Sequence, residues 1–430
     1  MLQHPNASHP WWLRAAKALA VGYIVASQVL VDVAGWSYMA FGLGVSLAGL
    51  IAAGSLFGVW QPEVRKWTRV PIVFLCYCLL RSFSGVKDSH PWEAFASLLS
   101  AFLGGISIAA ALEAGVRFRS LVYGLLASNV LQIAIILLGI GPEPPPGADT
   151  FRYAGITGNA NELALQLTLG ACLIWLMPKR AGLVPCLCAF GFVAFAVAAT
   201  GSRKAILIAV FFIALVVVHA LEKAPKKRRG LLGALAIVGL CLMGLCLAPR
   251  IAEQARDILA VQRSLDYEDH SFQTRANLVE EGLRLWEAAP LLGHGLDAFR
   301  GLASEDTYAH NNYVELLCDL GLLGTLLFYA IHAQALICAS HLHKSLRLCC
   351  RVFLLLMLAA DMGYVSYDRK QSVMILMVLL AVTTGSKYAV REAEPSTPRG
   401  AAHGMGQGRG HGARLLKRIK PRPRRFVLGG

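Results

Sequence analysis

Apolar runs of roughly bilayer-crossing length follow one another along the chain. They occupy 15–33, 37–60, 70–86, 94–113, 120–140, 161–177, 182–200, 204–221, 231–248, 313–339, 348–366 and 371–390. A hydrocarbon core about 30 Å thick takes roughly 20 residues of helix, so this pattern predicts an all-α polytopic membrane protein with about 12 transmembrane helices. Two intervals between runs are long. The first, 141–160, opens on the Pro-rich stretch Gly141-Pro-Glu-Pro-Pro-Pro-Gly147. The second, 249–312, is polar but has helical texture of its own. From Arg275 to Ala289 the apolar positions Leu278, Val279, Leu285 and Trp286 recur near helical spacing, and Pro290 with the turn Gly293-His-Gly295 ends the pattern. A polar interval of this length predicts a small extramembrane cap between helices 9 and 10. The expected organisation is a transmembrane domain over 1–390, including the loop 249–312, followed by a tail over 391–430.

Charge orients the runs. With the N-terminus inside, the inside intervals carry Arg14 and Lys17, then Arg65, Lys66 and Arg69, then Arg117 and Arg119. Lys179 and Arg180 follow, then Lys223, Lys226, Lys227, Arg228 and Arg229, then Lys344, Arg347 and Arg351. Every one is basic, as cytoplasmic loops are, so both termini are expected in the cytoplasm and the two long intervals outside. Trp11, Trp12, Trp36, Trp60, Trp67 and Trp92 fall near span ends, where interface anchors sit. The first run has no clear cleavage site after it and reads as a span rather than a signal peptide. The tail is rich in Gly, Pro and Arg, as in Lys417-Arg-Ile-Lys-Pro-Arg-Pro-Arg-Arg425, and is expected to be disordered and held near anionic lipid.

Composition agrees. Of 430 residues 56% are hydrophobic and only 16% charged, against roughly 25% charged in soluble domains. The net charge of +15 then reflects topology rather than nucleic-acid binding, and no aromatic-basic or zinc-spaced motif accompanies it. Nearly all of the 11 cysteines lie inside apolar runs, which argues for buried small hydrophobes rather than a disulfide framework.

The polar residues at the outer ends of the runs carry the candidate chemistry. Arg203 and Lys204, in Thr200-Gly-Ser-Arg-Lys-Ala205, are either snorkelling cations or an anion site, since a guanidinium fork matches phosphate oxygens. Arg275 opens the amphipathic stretch, where the helix dipole disfavours a cation. It is either a solvated surface residue or part of an anion site. His310, in Tyr308-Ala-His-Asn-Asn-Tyr313, is either an interface hydrogen-bonder or a base working near neutral pH. Glu315 and Asp319 share a helix face and either line an acceptor cleft or make structural polar contacts. Asp361 falls inside the eleventh run and needs a polar partner, Arg81 being one option.

His310-Asn311, nine residues, then Gly321-Leu-Leu-Gly324 resembles the signature of the O-antigen ligase superfamily. So do Thr200-Gly-Ser-Arg-Lys-Ala205 and Arg275 ahead of Pro290-Leu-Leu-Gly-His-Gly-Leu-Asp-Ala-Phe299. A fourth match is Arg152 ahead of Thr157-Gly-Asn-Ala-Asn-Glu-Leu-Ala164. The motifs span roughly 150–325, in family order. His294 departs from the family, which often has an apolar residue there; it reads as a turn residue or a second acid-base group.

The resemblance implies a GT-C-like inner-membrane glycosyltransferase. Such an enzyme takes a glycan from an undecaprenyl-diphosphate carrier and passes it to a glycolipid or glycan acceptor at the periplasmic face. It implies Arg203 and Arg275 on the diphosphate and His310 on the acceptor hydroxyl, with inversion. Arg152, Lys204, Asn311, Glu315 and Asp319 would bind substrate. No Asp-x-Asp pattern stands outside, so neither metal nor cofactor is expected. Ligase, with lipid A-core as acceptor, is favoured over polymerase by the His-Asn-nine-Gly-x-x-Gly pattern. A transporter or flippase also fits the span count, but no internal repeat is visible and the polar signatures gather at one face.

Overall fold

The computed structural model of the chain describes residues 10–29, 37–56, 67–138, 160–172, 183–200, 270–305, 307–342 and 344–384. The predicted runs 204–221 and 231–248, nearly all of the Pro-rich interval, Arg152, Arg203, Lys204 and the tail lie outside these residues. The described helices are α1 Pro10–Val29, α2 Ser37–Leu56, α3 Arg69–Arg81, α4 Pro91–Glu113, α5 Phe118–Leu137 and α6 Ala160–Cys172. They continue with α7 Leu183–Thr200, α8 His270–Ala288, α9 Ala298–Leu302, α10 Asn312–Cys338, α11 Lys344–Ala360 and α12 Lys370–Thr383. Among the described residues there is no strand, and each predicted run that falls on them contains a helix. The segments Met39–Leu56, Pro91–Glu113, Phe118–Leu137 and Asn312–His341 are long and apolar enough to cross a bilayer.

Packing is organised around α4. It lies against α1, α2, α3 and α12, and glycines on it permit the closest approaches. A Cβ at Gly104 would sit 2.0 Å from the Tyr23 ring of α1, and one at Gly105 2.9 Å from Met377 Cγ of α12. Small residues at such crossings let apolar helices pack where no water is available to drive them together. Phe74, Phe102 and Phe328 join α3, α4 and α10 in one aromatic cluster. Gln132 of α5 donates to the Gln28 carbonyl of α1 and to Gln166 of α6, and Asn129 donates to the Leu167 carbonyl. These amides tie three apolar helices together.

The helices have two well-separated ends. At one, the start of α1 meets the α4–α5 turn, and the Trp67 indole donates to Glu113 at 2.7 Å. Arg14, Lys17, Arg117 and Arg119 gather here around a cleft. At the other, the α3–α4 turn meets residues 293–301, where Arg81 donates to the Gly293 carbonyl at 2.9 Å and the His90 amide to Asp297. The 23 residues of α4 separate the two by about 34 Å of helix.

Two expected boundaries move. The predicted helix from Arg275 begins at His270, so Arg275 lies in the second turn, and the argument from the helix dipole loses its force. The eleventh run was expected to carry Asp361 within a span, but α11 stops at Ala360 and 361–369 turn back. The Asn312 side-chain oxygen accepts the amides of Ser366 (2.9 Å) and Tyr367 (3.1 Å), drawing them away from a helical ladder.

Candidate functional site

Two of the motifs interlock. Inside α10, Gly321 takes φ 66° and ψ −172°, which breaks the helix and frees backbone groups on both sides. The turn after α8 satisfies them. His294 and Gly295 amides donate to the Cys318 and Asp319 carbonyls, each at 2.9 Å. Leu322 and Leu323 amides donate to the Pro290 and Leu291 carbonyls, and the Tyr77 hydroxyl donates to the Leu320 carbonyl at 2.8 Å. A break in an apolar helix needs its freed backbone groups satisfied by surrounding protein or by water, and here protein does it. The glycines are required by proximity: a Cβ at Gly293 would lie 2.4 Å from the Asp319 oxygen, and one at Gly321 2.4 Å from the Leu291 oxygen. His294 serves this turn, its Nε2 lying 2.8 Å from the Leu285 carbonyl.

The break fixes the start of α10, and the start of α10 presents His310. Asn311 caps the helix, its side-chain oxygen accepting from Tyr313 (3.0 Å) and Val314 (3.3 Å) amides. Glu315 reaches back and accepts the Ala309 amide at 2.7 Å. His310 lies between these anchors with φ 55°, a left-handed conformation costly for any residue with a Cβ. Its ring stands 4.1 Å from the ring of Tyr308, and the residue is half-buried.

A charged group adjoins it. Arg369, before α12, lies 3.6 Å from Asp368 and 3.9 Å from Glu162 at the start of α6, with its guanidinium 6.0 Å from the Tyr308 ring centre. The Asp368 carboxylate outweighs burial and pushes the Arg369 guanidinium further up from its ordinary range, so it stays charged. Behind it, Asn312 donates to Tyr329 and Asp361, and Tyr329 donates to Asp361 at 3.0 Å. Asp361 thus takes Tyr329 and Asn312 as partners, while Arg81 bonds Gly293 and Ser84.

Of the residues expected to act, His310, Asn311, Glu315 and Asp319 lie together at one end of α10. For Glu315 and Asp319 the sequence leaves open a cleft or structural contacts, and the structure shows contacts. Asp319 is fully buried and accepts from the Phe299 amide (2.7 Å) and the Tyr367 hydroxyl (3.2 Å). Arg275 is half-buried on α8, one turn before Leu278, which packs into a cluster with Phe299, Ala309, Val314 and Cys318. Arg275 and Leu278, three residues apart, are neighbours along one side of α8. Arg203 and Lys204 follow closely on the last residue of α7, Thr200, and lie outside the described residues, as does Arg152. Among the described residues no group of three His, Cys, Asp or Glu side chains could hold a metal ion.

Residues 187–329 match the family model described as O-Antigen ligase. Over this stretch, a third of its length, the chain is similar to the O-antigen ligase family. No curated protein matches the chain. The matched segment takes in α7 from its second turn, α8, the interlocked turn, the His310 loop and most of α10. Members are glycosyltransferase-like membrane enzymes that handle lipid-linked glycans. The site draws on more than this segment: Tyr77, Glu162, Asp368 and Arg369 all come from outside it. Arg369 is the residue that sequence reasoning missed. The signal was there: Asp368-Arg369-Lys370 is a compact charged group between the last two apolar runs.

Proposed function

We propose that the chain is an inner-membrane glycosyltransferase of the O-antigen ligase type. It moves a glycan from undecaprenyl diphosphate to an acceptor hydroxyl at the periplasmic face. The observation that carries this reading is His310, fixed in a left-handed conformation within the matched segment, beside Tyr308 and the Arg369 cluster. Non-glycine residues held in that conformation concentrate at functional sites.

In the proposed reaction His310 takes the proton of the acceptor hydroxyl as its oxygen attacks the anomeric carbon. The new carbon–oxygen bond forms on the face opposite the bond to phosphate, which breaks with inversion and leaves undecaprenyl diphosphate. Arg203 and Arg275 neutralise the charge that grows on the leaving diphosphate, worth about 3 kcal/mol per well-placed donor in a water-poor site. Arg152 and Lys204 add positive charge for the donor. Asn311, Glu315 and Asp319 act by holding the His310 loop. The reaction so written needs neither metal nor cofactor, because guanidinium groups supply the charge. Both termini are assigned to the cytoplasm, with the His310 end outside.

Complementation of a deletion strain tests the assignment. His310→Ala, Arg275→Ala and Arg203→Ala are each expected to leave unextended glycolipid on a gel while membrane levels of the protein persist. Normal product from all three would defeat the proposal. With the purified enzyme and a defined carrier-linked glycan, transfer to lipid A-core marks a ligase and transfer to a second carrier-linked unit marks a polymerase.

A further inference from the structure

At the end of the molecule opposite His310, a cleft of about 370 Å³ opens between the first turns of α1 and the α4–α5 turn. Its lining includes Arg14 and Lys17 from α1 and Arg117 and Arg119 from the α5 end, with Tyr123 beside them. Arg14, Lys17, Arg117 and Arg119 are exposed, and among the described residues none has a carboxylate within ion-pair distance. Arg119 is fixed rather than splayed: its Nε donates to the Tyr123 hydroxyl at 2.7 Å and its guanidinium stands 5.1 Å over the same ring. A topological excess of cations would explain charge at this end. It does not explain four cations from two elements around one cavity with no acid among them.

The setting specifies the ligand. Trp11 and Trp12 pack edge to face at 5.1 Å, with Trp11 exposed, next to Arg14 on the same helix. Exposed indole beside basic residues at a span end marks headgroup depth. Apolar side chains join the cations, with Leu13 and Val116 in the lining of the cleft. We propose that the cleft is a binding site for the phosphate of an anionic phospholipid headgroup, separate from the glycan site and on the opposite membrane face. The guanidinium groups take the phosphate oxygens, Tyr123 orients Arg119, and the acyl chains run down the apolar surface beside Leu13.

The full chain, purified in neutral detergent, is titrated with phosphatidylglycerol, phosphatidylcholine or inorganic phosphate while its melting midpoint is followed. Phosphatidylglycerol is expected to raise the midpoint saturably, and phosphatidylcholine and millimolar phosphate to leave it in place. In Arg14→Gln/Lys17→Gln/Arg117→Gln the half-saturating lipid concentration is expected to rise by at least about tenfold. In the charge-matched control Lys226→Gln/Lys227→Gln/Arg228→Gln it should stay within about twofold. Should the triple variant not fold, Arg14→Gln and Arg117→Gln singly must each weaken the response. An undiminished response in the cleft variants, an equal one to phosphatidylcholine, or saturation by phosphate alone would overturn the assignment, the last giving the cleft to a free anion.

Discussion

At His310 the backbone occupies φ 55°, and neighbours on both sides hold it there: Glu315 takes the amide of Ala309, and Asn311 caps the helix that follows. The imidazole is therefore aimed by strain that the rest of the loop maintains. Replacement by glycine removes the strain and the ring together, whereas alanine removes the ring alone. Both variants are expected to lose transfer, but His310→Gly should be the more stable by about 1 kcal/mol, measured as a difference in melting midpoint or denaturant midpoint. Equal stability would mean that the left-handed conformation costs nothing. Glu315 offers a second residue-scale test. Gln keeps an acceptor for the buried Ala309 amide, and Ala leaves it unpaired. Glu315→Gln should retain most activity, while Glu315→Ala should lose about 2 kcal/mol of stability and most of its activity as the His310 loop comes adrift.

At the scale of elements, the break in α10 and the Pro290–Gly295 turn behave as one unit, because each satisfies backbone groups the other exposes. Gly321→Ala forces a Cβ to within 2.4 Å of the Leu291 oxygen at φ 66°, against backbone that cannot move aside. A loss of about 3 kcal/mol or more, with a fall in folded yield on size exclusion, is expected. Gly324→Ala also meets close neighbours, Leu320 Cβ and the Tyr77 ring, but its backbone is not in the left-handed region, so no conformational strain adds to the clash and its cost should be smaller. The reverse ranking would show that the two motifs do not interlock. The helices themselves were legible from apolar runs, since bilayer length and periodicity leave few alternatives. The interlock was not. The spacing from His310 to Gly321-Leu-Leu-Gly324 was visible as a pattern, but only three-dimensional contact shows that Gly321 breaks α10 and that the turn at 290–295 fills the break. The end of α11 was misplaced for a related reason: the Asn312 side chain, distant in sequence, captures the Ser366 and Tyr367 amides and draws them away from the helical path.

For the whole molecule, the basic cleft and the His310 loop lie at opposite ends of the helices, separated by the length of α4. The positive-inside rule then fixes one if the other is known. With Arg14, Lys17, Arg117 and Arg119 in the cytoplasm, the α3–α4 turn, residues 293–305 and the 361–369 turn all emerge on the far side. That prediction is independent of any catalytic role. Alkaline phosphatase inserted after Lys87 or after Ser304 should be active, because the enzyme folds only outside the cytoplasm. Insertion after Ser120 should be inactive. Activity at 120 with silence at 87 and 304 would put the His310 end in the cytoplasm, where a donor presented in the outer leaflet could not reach it. Activity at 87 but not at 304 would separate the α3–α4 turn from the turn it contacts through Arg81 and Gly293, and so contradict the packing itself. The same fusions carrying Arg14→Glu and Lys17→Glu add a graded test. Weakening the inside charge should lower activity at 87 in part, since Arg65, Lys66, Arg69, Arg117 and Arg119 continue to hold the first helices in place.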